Sequence, residues 1–166
     1  PACSVNACGA GAAFRSASGR EKPGHWTAKD YFSKWRIGLM KAIRFMEPEV
    51  IEYSAVATPE PKDNEVLAQI AYAGFCATDI ELLTGDMIHI KNGFTKYPII
   101  PGHEWSGTIV AVGRDVRDLK VGDRITSDVS LGCGECDECR KGHYNLCPNR
   151  EVIGSYRTAR ACSQSM

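Results

Sequence analysis

The chain has 166 residues, 43% of them hydrophobic and 24% charged, which suits one globular domain with a tail at each end. Lys plus Arg equals Asp plus Glu at 20 each, so net charge offers no argument for a nucleic-acid or anionic-membrane partner. No apolar run is long enough to span a bilayer.

Residues 1–39 are rich in Ala, Ser, Gly and Arg without apolar periodicity. They are expected to be mobile or a non-native leader, Cys3 and Cys8 included. The first residue, Pro1, is not Met, which marks a fragment or a mistranslated start, and no apolar stretch behind a basic start reads as a secretory signal. The stretch HWTAKDYFSKWRIGL carries aromatics suited to a short helix.

From Met40 the pattern changes. MKAIRF alternates as a half-buried strand does, and VIEYSAVATPEP is a second extended stretch, ended by Pro59 and Pro61. NEVLAQIAYAGF predicts a longer strand, with Val66, Ala68, Ile70 and Tyr72 alternating against Leu67, Gln69 and Ala71. TDIELLTG predicts a short helix with Thr78 as N-cap and Gly85 as stop. YPIIPGHE is an extended loop stiffened by Pro98 and Pro101. WSGTIVAVG is a strand with Gly107 inside it and Gly113 at its end. LKVGDRITSDV is a strand pair or bent strand around a Gly122–Asp123 turn. Many short strands, few helices and no repeated βαβ unit make the chain mainly β. No GxGxxG follows a strand, so a dinucleotide-binding unit is absent from these residues.

Eight cysteines are many for this length. Cys133, Cys136, Cys139 and Cys147 fall in the run CGECDECRKGHYNLC, with gaps of two, two and seven residues. This local density fits a metal site better than a disulfide framework, and it points to a reducing, cytoplasmic compartment. Four thiolates complete a tetrahedral zinc shell with no open position, so the site is expected to be structural. Gly132, Gly134 and Gly142 permit tight turns between ligands, and residues 132–148 need such a staple to fold. His143 is a rival ligand that a full thiolate set leaves outside. Four reduced thiols or two disulfides are the bland alternative, and chance rarely gives that spacing.

A second set comprises Cys76, then His103 and Glu104 in Gly102-His103-Glu104. Thiolate, imidazole and carboxylate suit zinc, and three protein ligands leave a position for water or an alcohol oxygen. Spacing alone is weak support: a lone cysteine is usually a core residue, and a lone His-Glu pair usually polar surface.

The segments GFCATD, PIIPGHEWSGTIVAVG, DLKVGDRI and CGECDECRKGHYNLCPN, in this order, resemble the N-terminal, GroES-like catalytic domain of zinc-dependent medium-chain alcohol and polyol dehydrogenases, closest to the sorbitol and threonine branch. The resemblance covers residues 40–154 and implies a GroES-like partial β-barrel with short helices and a four-cysteine zinc lobe. It implies Cys76, His103 and Glu104 as the catalytic zinc site, with Glu104 binding the metal or approaching it during ligand exchange. Thr78 would be the hydroxyl that relays the alcohol proton, and the four-cysteine lobe would hold a structural zinc. Asp79 is read either as a helix-start carboxylate or as support behind the metal ligands. Gly102 is expected to make the turn that aims His103.

Two departures stand out. Many members carry a His three residues after the relay hydroxyl, where this chain has Glu81. After CPNREVIG the family continues into a Gly-Ala-Phe-Ala-Glu-Tyr-like strand whose Glu lies at or near the metal. Here the chain reads SYRTARACSQSM, so residues 155–166 are expected to be a non-native tail. Nothing supports Glu151 as a substitute, and Cys162 has no assigned role.

The complete protein implied by the resemblance oxidises a primary or secondary alcohol or polyol, passing a hydride to NAD or NADP. It would be a homo-oligomer with no nucleic-acid or membrane partner, and this fragment alone is expected to be inactive. The competing classes are a non-enzymatic GroES-like module that keeps only the structural zinc, and a small zinc-ribbon protein for nucleic acid. The Cys76/Thr78/His103/Glu104 set argues against the first, and the neutral charge against the second.

Overall fold

The structure is a computed structural model that describes residues 2–6, 39–126 and 128–157, the first five through their backbone. A four-stranded antiparallel sheet forms its centre. In chain order its strands are β1 (Ala2–Asn6), β4 (Glu65–Ala73), β5 (Trp105–Val112) and β6 (Arg124–Thr126), and they neighbour one another in that order. A separate hairpin joins β2 (Leu39–Glu47) to β3 (Val50–Ala57), and β7 (Ser130–Leu131) pairs with β8 (Glu151–Val152). Among the described residues the helices are α1 (Ala77–Thr84) and two single turns, α2 (Ile88–Lys91) and α3 (Asp137–Arg140), with a 3-10 turn at Tyr144–Leu146. The mainly β architecture is the one expected.

The β4 pattern holds on one face. Val66, Ala68 and Ile70 pack with Trp105, Ile109, Ile125, Leu131 and Ile153 in the main core. Two details differ from strict alternation. Leu67, on the other face, is buried against Val110 and Ala111. Tyr72, expected beside Ile70, is 78% exposed, because the β4–β5 register shifts between Ile70 and Tyr72 and turns its side chain out. In β2 the buried positions are Ala42 and Phe45, with Ile43 half-buried, so its alternation is also imperfect. Phe45 reaches across to the loop before the GHE segment: it exchanges backbone bonds with Ile99 at 2.8 and 2.9 Å, and packs with Leu82 of α1. The hairpin, α1 and the Pro-rich loop thereby form a second small core beside the sheet.

Two expectations need correction. Residues 2–6, expected to be mobile, form the edge strand β1 in register with β4, from Ala2 opposite Gln69 to Asn6 opposite Glu65. The α1 N-cap is Cys76, not Thr78: the Cys76 sulfur accepts the Thr78 N–H at 3.3 Å, and an Asp79 oxygen accepts the Cys76 N–H at 3.0 Å. The reciprocal pair is a capping box, and it starts the helix two residues early. The segment read as a tail begins packed against the domain. Ser155 is 4% and Tyr156 9% exposed, and the Thr95 hydroxyl donates to the Ser155 carbonyl at 2.6 Å. Gly85 does end α1, in the left-handed conformation. Of LKVGDRITSDV, the Arg124–Thr126 part is strand, after a turn at Gly122. The aromatic stretch before Leu39 lies outside the described residues. Among the described residues no helix is long and apolar enough to cross a membrane.

Candidate metal centre

The four cysteines of the predicted lobe converge. The sulfurs of Cys133, Cys136, Cys139 and Cys147 lie within 4.8 Å of one another, and none of the four is in a disulfide. Gly134 and Gly142 take positive φ in the turns between ligands. Gly132 serves differently: a Cβ there would stand 2.6 Å from the Cys139 sulfur and 2.9 Å from the Tyr144 ring, so its role is close approach. Backbone N–H groups already point at sulfur, from Cys133 to Cys147 at 3.4 Å and from Cys139 to Cys136 at 3.5 Å.

The thiols are electrostatically unequal. Backbone N–H groups of Glu135 and Cys136 hold the Cys133 thiol down to about 7. Burial first, and the neighbouring thiols after it, push Cys139 up to about 12. Four crowded sulfurs that cannot all ionise alone are the donor set a soft divalent cation completes. His143 lies outside the set, with its Nδ1 3.0 Å from a Glu138 oxygen. The His143 ring, and then Lys141, hold that carboxyl below the usual range.

The second set also comes together, although its members are 27 residues apart. The Cys76 sulfur is 2.9 Å from His103 Nε2, and ligand atoms of Cys76, His103 and Glu104 lie within 4.8 Å of one another. Three elements place them. Cys76 is fixed as the cap of α1, His103 follows Gly102 at φ +116, and Glu104 immediately precedes β5. The turn expected at Gly102 is thus present. Thr78 lies in the first turn of α1, half-buried, with its N–H on the Cys76 sulfur. Glu81, one turn on, is exposed.

Both readings of Asp79 have structural support. Its Oδ2 caps the helix at Cys76, while its Oδ1 faces His103 Nδ1 at 3.7 Å. The Asp79 side chain is 1% exposed and that of His103 11%, and neither Asp79 Oδ1 nor His103 Nδ1 has a hydrogen-bond partner. A carboxylate buried so deeply is costly without a partner, and a small ring movement would supply one. An imidazole held from behind by a carboxylate presents its other nitrogen forward, as metal-ligating histidines do. Thiol, imidazole and carboxylate thus fit a divalent zinc ion. Taken alone, Cys76, His103 and Asp79 also have the makings of a cysteine nucleophile with an oriented base. The exposed Glu104 carboxylate beside the thiol favours a cation instead, because a second anion there would oppose a thiolate.

Residues 62–166 match the sequence profile of the alcohol dehydrogenase GroES-like domain. The chain belongs to that family. The match runs on through residue 166, across the segment expected to depart from the family pattern. Among curated proteins, this GroES-like chain is 41% identical over 119 residues to a D-arabitol-phosphate dehydrogenase of Enterococcus avium, covering 70% of this chain and 32% of that one. It is 34% identical over 116 residues to a sorbitol dehydrogenase of Bacillus subtilis, covering 70% and 32%. Among solved structures, an alcohol dehydrogenase from Escherichia coli CFT073 in complex with NADH superposes with a TM-score of 0.63 at 31% identity, covering 74% of this chain and 34% of that one. The chain spans about a third of the length of these relatives.

Sequence reasoning missed the pocket behind the second set. A cavity of about 220 Å³ lies between the hairpin and α1, lined by Phe45, Ile51, Phe75, Asp79, Pro101 and Gly102 among others. Its walls come from four separate segments, so no local pattern announces it.

Proposed function

We propose that this chain is the zinc-binding, substrate-side domain of an NAD(P)-dependent dehydrogenase that oxidises a small alcohol or polyol. The observation that carries the reading is the Cys76/His103/Glu104 cluster with Asp79 behind His103. Cys76, His103 and Glu104 would hold a catalytic zinc, and Cys133, Cys136, Cys139 and Cys147 a structural one. The catalytic zinc supplies a Lewis acid that lowers the pKa of an alcohol oxygen. Asp79 Oδ1, 3.7 Å behind the ring, would hold His103 in place once the Nδ1–H of His103 closes on it. Thr78, next to the cluster in the first turn of α1, would relay the alcohol proton: its hydroxyl oxygen accepts that proton while its own proton passes on to solvent. The hydrophobic cores beneath α1 and β5 hold these side chains on rigid elements.

Polyols are favoured as substrate class by the names of the two curated relatives, and a nicotinamide cofactor by the NADH in the solved one. Residues 40–154 form the domain in this reading, the complete protein is a cytoplasmic homo-oligomer, and the 166 residues alone do not turn over alcohols. Hydride transfer needs the nicotinamide held against the carbinol carbon, and the chain has no Gly-rich strand–turn–helix unit to hold it.

The test fuses the chain in frame to the cofactor-binding portion of the D-arabitol-phosphate dehydrogenase and follows NADH and NADPH formation at 340 nm with zinc and several polyols. Turnover by the fusion that is lost in Cys76→Ala and Thr78→Ala supports the reading. The unfused chain should be silent. Steady cofactor reduction by the unfused chain, abolished by Cys76→Ala, overturns the claim of inactivity. A folded fusion that binds NADH and two zinc ions but oxidises none of the alcohols counts for a non-enzymatic module.

A further inference from the structure

Gly74 stands two residues before Cys76, and its N–H donates to the Glu104 carbonyl at 2.7 Å. It is not one of the positive-φ glycines, so its backbone does not itself call for glycine. Alanine would also keep the N–H. What sets the position apart is space. A Cβ built there meets Glu104 Oε2 at 2.5 Å, Glu104 Cβ at 3.1 Å and Glu104 Cδ at 3.6 Å, and these are its three nearest atoms. The volume that glycine leaves empty is filled by the Glu104 side chain.

We infer that Gly74 is a positioning residue: by carrying no side chain, it admits the Glu104 carboxylate to the Cys76–His103 pair. The inference rests on the reading of Glu104 as the third donor. Glu104 is exposed, so a methyl at position 74 leaves its carboxylate free to swing into solvent. Rotation between staggered rotamers relieves the contacts with Oε2 and Cδ cheaply, and the 3.1 Å contact with Glu104 Cβ asks only for a small local shift. Substitution at Gly74 therefore acts on the metal site much more than on the fold. Gly74 links the end of β4 to the start of β5 twice, through the backbone bond and through this space. The strand that leads to Cys76 thereby governs the residue that follows His103.

The experiment uses the 166-residue chain with its four-cysteine lobe filled by one equivalent of zinc. Co2+ is then titrated into the second site and followed by its visible d–d bands, which report donor set and geometry. Gly74→Ala is expected to weaken Co2+ binding about 10-fold, within the range for supports of metal ligands. Its bands should move toward those of Glu104→Ala, with the melting temperature of the zinc-loaded lobe unchanged. In the double variant Gly74→Ala/Glu104→Ala, binding should match Glu104→Ala alone, because the two substitutions remove one interaction.

Wild-type bands and affinity in Gly74→Ala overturn the inference. So does an equal further loss when Gly74→Ala is added to Glu104→Ala, since position 74 would then act independently of the carboxylate. If Glu104→Ala itself leaves bands and affinity untouched, the donor reading falls and takes the inference with it, and the single variant shows this. If Gly74→Ala fails to fold, the double variant decides: a folded double variant supports the shared space, and an unfolded one overturns it.

Discussion

Gly154→Ala tests how the last packed segment is tied to the metal site. Gly154 has φ +68, and a Cβ there would stand 2.6 Å from the Gly102 oxygen, 2.8 Å from its nitrogen and 3.0 Å from its carbonyl carbon. All three are backbone atoms and cannot rotate away. Two costs add. An alanine in the left-handed region costs about 1–2 kcal/mol. Forcing a methyl into a filled contact costs about 1–3 kcal/mol more. The expected loss is therefore about 2–5 kcal/mol, a large part of the roughly 5–15 kcal/mol that holds a typical domain folded. Gly93 at φ +73 and Gly122 at φ +93 are built-in controls, because a Cβ at either meets nothing within 4 Å. Gly93→Ala and Gly122→Ala should show only the first cost. Urea denaturation of the zinc-loaded variants measures all three. Gly102 precedes His103, so Gly154→Ala should also weaken Co2+ binding at the second site while the controls do not. If Gly154→Ala is no more destabilising than Gly93→Ala, the contact with Gly102 is not there and the reasoning fails.

Cys136→Ser should reduce the zinc of protein purified without chelator by one equivalent and open residues 133–147 to proteases; full zinc with full protease resistance would remove the lobe assignment. Zinc uptake by the lobe should release roughly one more proton at pH 6 than at pH 8, because Cys133, held near 7, is mostly thiol at the lower pH and mostly thiolate at the higher. Calorimetry in buffers of different ionisation enthalpy reads that difference, and equal release at both pH values contradicts the assignment. Asp79→Asn should weaken the second site about 10–100-fold while α1 stays folded, since the amide oxygen still accepts the Cys76 N–H. Unchanged Co2+ affinity in that variant would leave Asp79 as a helix cap only.

The four-cysteine lobe was legible because its ligands are neighbours in the chain, where spacing is itself geometry. Cys76 and His103 are 27 residues apart, so residue types joined them only weakly and the resemblance carried the assignment before the fold placed them 2.9 Å apart. Cys76 as N-cap was missed because sulfur is not among the usual capping groups, so Thr78 drew the assignment. Tyr72 was misplaced by a bulge that no alternation pattern encodes, and Leu67 because β4 is covered on both faces at its start. The packing of Ser155 and Tyr156 was hidden for a related reason. Their partners Thr95, Phe94 and His89 lie far back in the chain. The uses of Gly74, Gly132 and Gly154 were equally out of reach, since the atoms that fill the space beside each are contributed by residues elsewhere in the chain.

The edge strand β1 carries a consequence for how the chain reaches this fold. The β2–β3 hairpin closes over the short turn at Pro48 and Glu49, and Phe45 finds Ile51 almost at once. By contrast, Ala2 must find Gln69 across most of the first half of the chain. Closing so long a loop adds little to the equilibrium cost, about 0.6 kcal/mol per doubling of length. It weighs far more on rate, because distant strand pairs form late. Until β1 docks, one edge of β4 presents unpaired N–H and C=O groups along Val66–Ile70, a mostly apolar stretch open to the same edge of another molecule. Refolding yield should accordingly fall as protein concentration rises, and fall further in a chain from which residues 2–6 are deleted.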